Sequence, residues 1–313
     1  MAKGNLAAID LGTNSCRLMV TNLNGFVIFR KTVTTKLGEG LHTNGKFTDA
    51  AIERGLKCLA EYADIMREYG VIKYRAIATA SCRMAKNGEE FIRAVEELCG
   101  IRLDIIDAKE EALLNVKGAR LNANADKEYV VVYDLGGGST EITLATNNDN
   151  PEIIYTVSIP WGARNATEAF DLLEYDEEKA SILANEVRKY TKDFLQKSNL
   201  EKYREKCEFM ATSSTPLRLV SMSRDLGEYN RYNVDGVSET IEQLDKQITK
   251  IQRMNFTQAA ESPYIGENRA AIFQAACVIF KTIYDDLQIK VLTASLKGAQ
   301  EAMINDLVKK WQN

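Results

Sequence analysis

Histidine is almost absent from this chain, which has a single one, His42, among 313 residues. That scarcity excludes a zinc site built from several histidines, and it leaves His42 as the only imidazole for a Ser-His-Asp or Cys-His arrangement. His42 stands in the polar segment GEGLHTNGK, a composition typical of a solvated loop. The chemistry of the chain is therefore expected to rest on other side chains.

Long apolar runs and closely spaced cysteines are also missing. The longest apolar stretch, 270–280, is too short to cross a bilayer, and no apolar leader follows Met1. The six cysteines are scattered without a Cys-x-x-Cys pair, which favours reduced thiols. We therefore expect a cytoplasmic protein that has no membrane partner.

The charge balance is slightly acidic, with a formal net charge of −4 at pH 7. Such a balance argues against non-specific nucleic-acid binding, so no nucleic-acid partner is predicted. It still leaves room for a polyanionic ligand in a locally basic cleft.

One pattern occurs twice, as AIDLGTNSCRLMV at 8–20 and as VVYDLGGGSTEITL at 131–144. Each copy has an apolar run, Asp-Leu-Gly, a loop of small residues with a Ser, and a second alternating run. This order predicts a strand, a tight turn and another strand in each copy. The repetition suggests two similar half-domains that face one anionic ligand.

The composition of both turns suits phosphate. Glycines at these positions allow positive φ and close backbone approach, and successive amides in such a turn form an anion-binding nest. Asp10 and Asp134 end the first strand of each copy, where they could hold a hard cation or its water shell. Gly12 supplies this backbone freedom in the first turn, and the candidate phosphate-binding residues of the two turns are Thr13, Asn14, Ser15, Gly136, Gly137, Gly138, Ser139 and Thr140.

The order of elements predicts an α/β protein with two domains. Strands and helices alternate as βββαβαβα before the polar segment NANADKE at 122–128, and three strands follow it. We place the domain boundary in that segment, giving domains 1–124 and 125–313. The periodicity also predicts one helix over 238–253. Two βββαβα units with Asp-x-Gly turns resemble the actin-like (ribonuclease H-like) ATPase fold, in which the ligand occupies a cleft between the domains.

Further motifs, in the same order and at similar intervals, resemble one family. They are IDLGTNSCRLMV, AIATASCRMAKNGEEF with Arg83 and Asn87, LDIIDAKEEALLNVKGAR with Glu110 and Glu111, and DLGGGSTEI. Together they resemble the exopolyphosphatase/guanosine pentaphosphate phosphohydrolase (Ppx/GppA phosphatase) family in its short two-domain form. Where that family usually has Gly-Gly-Thr, this chain has Ser213-Ser214-Thr215. Its Ser-Gly before the Glu pair becomes Asp107-Ala108, which is tolerable only with a negative φ at Ala108.

The resemblance implies that Glu111 is the general base of a phosphohydrolase. A carboxylate at a helix start can accept the proton of the attacking water. Mg²⁺ is expected on Asp134 and Glu141, with Asp10 opposite. Arg83 is a candidate phosphate clamp, because a guanidinium can bind two oxygens at once. Arg17 is a candidate ligand of the next phosphate along the chain, with a solvent-facing side chain as the open alternative.

The expected activity is release of terminal phosphate from inorganic polyphosphate, with guanosine pentaphosphate as the alternative substrate. Two other classes stay open, a non-catalytic guanosine tetraphosphate-binding protein and an actin-like ATP-dependent kinase. The family resemblance also implies a homodimer.

Overall fold

The computed structural model describes residues 4–312, with the side chains of residues 4–311. The start of the chain at Met1–Lys3, where the sequence predicts no leader, and the outer domain limits 1 and 313 lie outside these residues. None of the helices within the described range is long and apolar enough to cross a membrane.

The chain divides into two compact units. Unit 1 runs up to Leu114 and takes up the chain again from Ala299, and unit 2 is Asn115–Gly298. The predicted limits, 1–124 and 125–313, were drawn at the polar segment 122–128, whereas the units divide inside a helix that precedes it. The C-terminal helix belongs to unit 1.

The elements follow one another with short connections. The strands are β1 (Asn5–Leu11), β2 (Cys16–Asn22), β3 (Val27–Val33), β4 (Val71–Ala78), β5 (Asp104–Ile105), β6 (Tyr129–Leu135), β7 (Thr140–Thr146), β8 (Ile153–Ile159), β9 (Cys207–Thr212), β10 (Val237–Thr240) and β11 (Val291–Ala294). The helices are α1 (Leu41–Asn44), α2 (Asp49–Glu68), α3 (Ala80–Met84), α4 (Gly88–Cys99), α5 (Ala108–Ala119), α6 (Ala163–Phe170), α7 (Glu177–Ser198), α8 (Ser214–Ser223), α9 (Ile241–Gln252), α10 (Phe256–Glu261), α11 (Glu267–Asp286) and α12 (Ala299–Gln312). Short 3-10 turns occur at Arg120–Asn122, Leu200–Lys202, Arg204–Lys206 and Arg231–Asn233.

Unit 1 contains a five-stranded sheet in the order β3-β2-β1-β4-β5. β1 is antiparallel to β2 and parallel to β4. The β2–β3 hairpin turns at Gly25, whose φ is 82°, as its Asn-Gly pair predicts. Alternate residues of β1 point to opposite faces, so Ile9 joins a core with α2 and α4 while Ala8 joins a core with α12.

Unit 2 repeats this arrangement in a six-stranded sheet of order β10-β11-β9-β6-β7-β8. β6 is antiparallel to β7 and parallel to β9, as β1 is to β2 and β4. Its larger core lies on the face that carries Val131 and Tyr133, packed by α7 and α11. The smaller core on the opposite face includes Val132 and the last turn of α5.

The predicted helix over 238–253 is wrong in its first residues. Val237–Thr240 is β10, an edge strand antiparallel to β11. The helix begins only at Ile241, because the Thr240 hydroxyl accepts a hydrogen bond from the Gln243 N–H at 3.3 Å and so caps it.

All six cysteines are free, and five of them are buried. Burial raises the pKa of the Cys82 thiol to about 12 and that of Cys207 to about 12. Such thiols stay protonated near neutral pH.

Candidate active site

The two repeated turns close in the same way. In the first, the Gly12 N–H donates to the Ser15 carbonyl at 3.1 Å; in the second, the Gly136 N–H donates to the Ser139 carbonyl at 3.0 Å. Each turn joins two antiparallel strands that pair up to its edges. The structure therefore confirms the repeated strand–turn–strand pattern.

The first turn is held by the segment that follows β3. The carbonyls of Thr13 and Asn14 accept hydrogen bonds from the Gly38 N–H at 2.8 Å and the Lys36 N–H at 3.0 Å. In a trans peptide the C=O and the next N–H point in opposite directions. The amides of Asn14 and Ser15 are therefore directed away from this segment, as phosphate binding requires.

The second turn is held by the N-terminus of α6. Three carbonyls of Gly136–Gly138 accept hydrogen bonds from its first residues, and each anchored carbonyl turns the next amide to the opposite side. The donors are the Ala163 N–H to Gly136 at 2.9 Å, the Arg164 N–H to Gly137 at 2.8 Å and the Asn165 side-chain amide to Gly138 at 2.9 Å. The amides of Gly137, Gly138 and Ser139 thus present a second row of donors.

The expected positive φ at the turn glycines is wrong, because neither Gly12 nor any of Gly136–Gly138 adopts the left-handed region. The backbone at the start of α6 lies very close to the backbone of the second turn, and Gly162 is the glycine that permits this approach. A Cβ there would lie 2.5 Å from the Gly137 carbonyl carbon and 2.6 Å from the Gly138 nitrogen. Sequence reasoning missed Gly162 and Asn165, although the segment PWGARN directly after β8 marks a turn into a helix.

The side chains of the turns are almost fully buried. Thr13, Asn14, Ser15 and Ser139 are each 5–6% exposed, and Thr140 is inaccessible. The Thr140 hydroxyl donates to the Trp161 carbonyl at 2.8 Å, so it braces the turn. Their proposed contacts with phosphate stay predictions.

Asp10 and Arg17 face each other across β1 and β2. They are direct register partners, and an Arg17 Nη1 donates to the Asp10 carboxylate at 2.6 Å. The structure thus joins a residue predicted to hold metal to one predicted to hold phosphate. Both predicted roles stay open beside this ion pair.

Asp134 and Glu141 occupy the corresponding register positions in β6 and β7. Here two carboxylates, not an acid and a base, stand opposite each other, and Glu141 is 3% exposed. The Asp134 carboxylate accepts from the Asn115 amide at 2.7 Å. Like charges opposed across two strands are destabilising, and oxygen donors of this kind suit a hard cation. The chemistry of this pair therefore fits Mg²⁺.

A ready-made metal cluster is not present in the described part of the chain. Within residues 4–312, no group of three or more His, Cys, Asp or Glu side chains is placed to hold a metal ion. The predicted set of Asp10, Asp134 and Glu141 accordingly stays a prediction.

Glu111 lies in the first turn of α5 and is 7% exposed. The helix begins at Ala108, whose φ is not positive, so the requirement at this departure from the family motif is met. The Asp107 carboxylate caps the helix by accepting from the Glu110 N–H at 2.8 Å. The helix start therefore directs Glu111 inward by ordinary capping.

Arg83 contacts Glu111 directly. Its Nη1 donates to the Glu111 carboxylate at 2.8 Å and to the Ile106 carbonyl at 2.8 Å. Glu110 instead pairs with Arg75, and its side chain is 44% exposed. The two adjacent glutamates are thus separated into an inward and an outward one. Asn87 bonds both backbone groups of Phe47, at 2.8 and 3.1 Å, which assigns it a structural part.

Comparison with known families decides the assignment. Residues 20–311 match the model of the Ppx/GppA phosphatase family. The chain belongs to this family. The resemblance predicted from the motifs is thereby confirmed for this Ppx/GppA protein at the level of the family.

Curated relatives of this Ppx/GppA protein are matched over only part of their length. It is 35% identical over 206 residues to the bifunctional 3-dehydroquinate synthase/phosphatase of Fusobacterium nucleatum, which covers 60% of the chain and 31% of that protein. It is 32% identical over 180 residues to exopolyphosphatase 2 of Mycobacterium tuberculosis, which covers 54% of the chain and 55% of that protein. The matches thus span about a third and about half of these relatives.

Solved structures show the same fold. An exopolyphosphatase from Cytophaga hutchinsonii superposes with a TM-score of 0.88 at 19% identity, with 98% of each chain covered. The Ppx/GppA family member of Aquifex aeolicus gives 0.75 at 22% identity, again with 98% of each chain covered. The predicted α/β fold with a repeated strand and helix arrangement is confirmed.

Proposed function

We propose that this protein is a Mg²⁺-dependent phosphohydrolase that releases terminal phosphate from inorganic polyphosphate. The observation that carries the proposal is the anchoring of both repeated turns through their carbonyls, from Lys36 and Gly38 in one and from α6 in the other. Consecutive amides directed to one side bind the oxygens of a phosphate chain without needing lysine or histidine.

Glu111 is the proposed general base. The water oxygen forms a bond to the terminal phosphorus, the bond from that phosphorus to the bridging oxygen breaks, and Glu111 accepts the water proton. Arg83 fixes one oxygen of the Glu111 carboxylate at 2.8 Å, which limits its rotation. A base held this way is oriented before the substrate arrives.

Asp134 and Glu141, with Asp10 as a third contributor, would hold the Mg²⁺. The ion would offset negative charge on the phosphate chain when it is bound. This chain's own contribution is a pair of carboxylates on adjacent strands, held by hydrogen bonds.

Polyphosphate is preferred as substrate because the chain is similar to a curated relative named exopolyphosphatase 2. Guanosine pentaphosphate carries the same terminal phosphoanhydride and is the second candidate substrate. A guanosine tetraphosphate-binding protein without catalysis, or an ATP-dependent kinase, would give different results in one assay.

The test measures phosphate release from long-chain polyphosphate, guanosine pentaphosphate and ATP, each with and without Mg²⁺. We expect Mg²⁺-dependent release, fastest from polyphosphate. Release from none of the three would refute the proposal, and faster release from guanosine pentaphosphate would reverse the order of substrates.

Glu111→Gln is the sharpest variant, because its amide oxygen can still accept from Arg83 while the basic carboxylate is lost. We expect turnover to fall roughly 10²–10⁴-fold, the usual contribution of a general base. Glu110→Gln is the matched control, since that neighbouring side chain is exposed and paired with Arg75. Near-normal turnover in Glu111→Gln would remove Glu111 from the role of base.

A further inference from the structure

Four polar side chains form one row across the second sheet. The register pairs Thr212 with Asp134, Asp134 with Glu141, and Glu141 with Ser158. Directly paired residues in neighbouring strands present their side chains on the same face. The row therefore runs hydroxyl, carboxylate, carboxylate, hydroxyl over β9, β6, β7 and β8.

Both outer hydroxyls bond inward to the carboxylates. The Thr212 hydroxyl donates to Asp134 Oδ1 at 2.7 Å, and the Ser158 hydroxyl donates to Glu141 Oε1 at 2.9 Å. The Asn115 amide takes the other oxygen of Asp134, Oδ2, at 2.7 Å. A hydroxyl from an adjacent strand thus fixes the rotamer of each carboxylate.

The first sheet has a corresponding row in which a base replaces one of the two acids. There the corresponding positions are Ile77 in β4, Asp10 in β1, Arg17 in β2 and Thr32 in β3. Asp10 is oriented by its ion pair with Arg17, and its other neighbour, Ile77, is apolar. Inward hydroxyl donors flank the pair in the copy where the two charges are alike.

We propose that Thr212 and Ser158 are positioning residues that orient Asp134 and Glu141 toward a shared divalent cation. Two opposed carboxylates repel each other, and a hydroxyl donor from an outer strand fixes the rotamer of each one. The inference rests on the proposed function only in that it takes these two carboxylates as the metal ligands. Groups that hydrogen-bond metal ligands typically change metal affinity by about 10–100-fold when removed.

The test measures Mn²⁺ binding to the full chain by calorimetry, in the absence of substrate. Thr212→Val and Ser158→Ala are expected to raise the Mn²⁺ dissociation constant by roughly 10–100-fold. Thr212→Ser and Ser158→Thr keep a hydroxyl and are expected to restore most of the affinity. Asp134→Asn should abolish binding, which locates the ion at the row.

Thr156→Val is the matched control. Thr156 lies on the same face of β8 as Ser158, and its hydroxyl bonds that of Thr143 at 2.8 Å, away from both carboxylates. Removing this hydroxyl costs its partly buried bonds to the Thr143 hydroxyl and to the Ile142 carbonyl but leaves the row intact. We expect wild-type Mn²⁺ affinity in this variant.

The inference is overturned if Ser158→Ala, at a half-buried position of an edge strand, binds Mn²⁺ as tightly as the wild type. This variant decides the question even where Thr212→Val, at a buried site, fails to fold. Absence of Mn²⁺ binding to the wild type, or binding unchanged in Asp134→Asn, would also overturn it. Phosphate release is scored separately, so a chain that binds Mn²⁺ as described but hydrolyses none of the substrates refutes the proposed function alone.

Discussion

One residue distinguishes the two repeated hairpins most. Opposite the aspartate of the first turn stands Arg17, and opposite that of the second stands Glu141. The first hairpin thus pairs an acid with a base, whereas the second places two acids opposite each other on one face of the sheet. Two hairpins with the same strand pairing therefore differ in charge at the position opposite the aspartate, which is Arg17 in one and Glu141 in the other.

Arg83 has two possible parts, and kinetics separates them. The sequence predicts a phosphate clamp, whereas its Nη1 lies 2.8 Å from the Glu111 carboxylate. Arg83 Nη1 donates both bonds, to Glu111 and to the Ile106 carbonyl, and the shorter side chain of Lys does not reproduce the position of that nitrogen. We expect Arg83→Lys to lower kcat at least about 10-fold with little change in KM, as for loss of an interaction that serves the transition state. A raised KM with normal kcat would support the clamp instead.

Ser213 carries backbone strain. Its φ of 85° and ψ of −177° lie in a region populated almost only by glycine, and its resemblance-based counterpart in the family is a Gly. We expect Ser213→Gly to stabilise the protein by about 1 kcal/mol, the strain released less the added freedom of the unfolded chain. Urea denaturation measures this. Ser213→Ala keeps the strain and loses only a hydroxyl that has no hydrogen-bond partner within residues 4–312, so equal gains in both variants would contradict this account.

At the scale of elements, α6 is used in an unusual way. The first amides of a helix have no partner within the helix, and they are satisfied here by the carbonyls of Gly136 and Gly137. The helix start therefore does not bind the ligand itself but orients the turn that is proposed to bind it. In unit 1 the segment 36–38, which is not helical, orients the first turn through hydrogen bonds from Lys36 and Gly38.

Gly162→Ala tests this support. Its Cβ would lie 2.7 Å or less from three backbone atoms of the second turn, so the turn itself must move. We expect a loss of about 1–3 kcal/mol in unfolding free energy, together with weaker phosphate binding. Gly38→Ala is the comparison, since its Cβ meets a side-chain methyl of Thr13.

Adding Thr13→Ser to Gly38→Ala removes that methyl and should recover the stability lost. No comparable rescue is available for Gly162→Ala, because its clash is with backbone. If Gly162→Ala folds and binds phosphate as the wild type does, the α6 contact does not hold the turn.

At the scale of the whole molecule, the C-terminal helix α12 packs against the sheet formed by the first strands of the chain. Ala302, Met303, Ile304 and Leu307 of α12 are buried in a core with Leu6, Ala8 and Ile77 of the first sheet. Gln300 adds a hydrogen bond to the Ala8 carbonyl at 3.1 Å. Unit 1 is therefore built from two segments far apart in sequence.

A chain that ends at Gly298 should lose the order of unit 1. Burying each large apolar side chain contributes about 1.5–3 kcal/mol, so losing Met303, Ile304 and Leu307 removes about 5–9 kcal/mol, which is comparable to the whole stability of a typical domain, about 5–15 kcal/mol. Hydrogen exchange should show lost protection in β1 and β4 with protection kept in β6 and β9. Trp311→Ala, at an exposed position of α12, is the control. Protection of β1 that survives the truncation would contradict this expectation.

Much of the fold follows from local rules. The hairpin at Asn24-Gly25, the capped start of α2 at Thr48 and the two Asp-Leu-Gly turns are each specified within a few residues. The predicted helix over 238–253 began too early because the local sequence around Thr240 is compatible with a strand, a helix or a helix N-cap. Only its pairing beside β11 decides that Val237–Thr240 is extended.

The sequence by itself determined the repeated turns, the inward Glu111 at a helix start and the family to which the chain belongs, because each depends on residues close together in the chain. Only the tertiary structure decided that Arg83 holds Glu111, that Gly162 lies against the backbone of the second turn, and that Thr212 and Ser158 flank the two acids. These contacts join segments separated by many residues. Their partners are chosen by strand register and packing, which periodicity along a single segment does not encode.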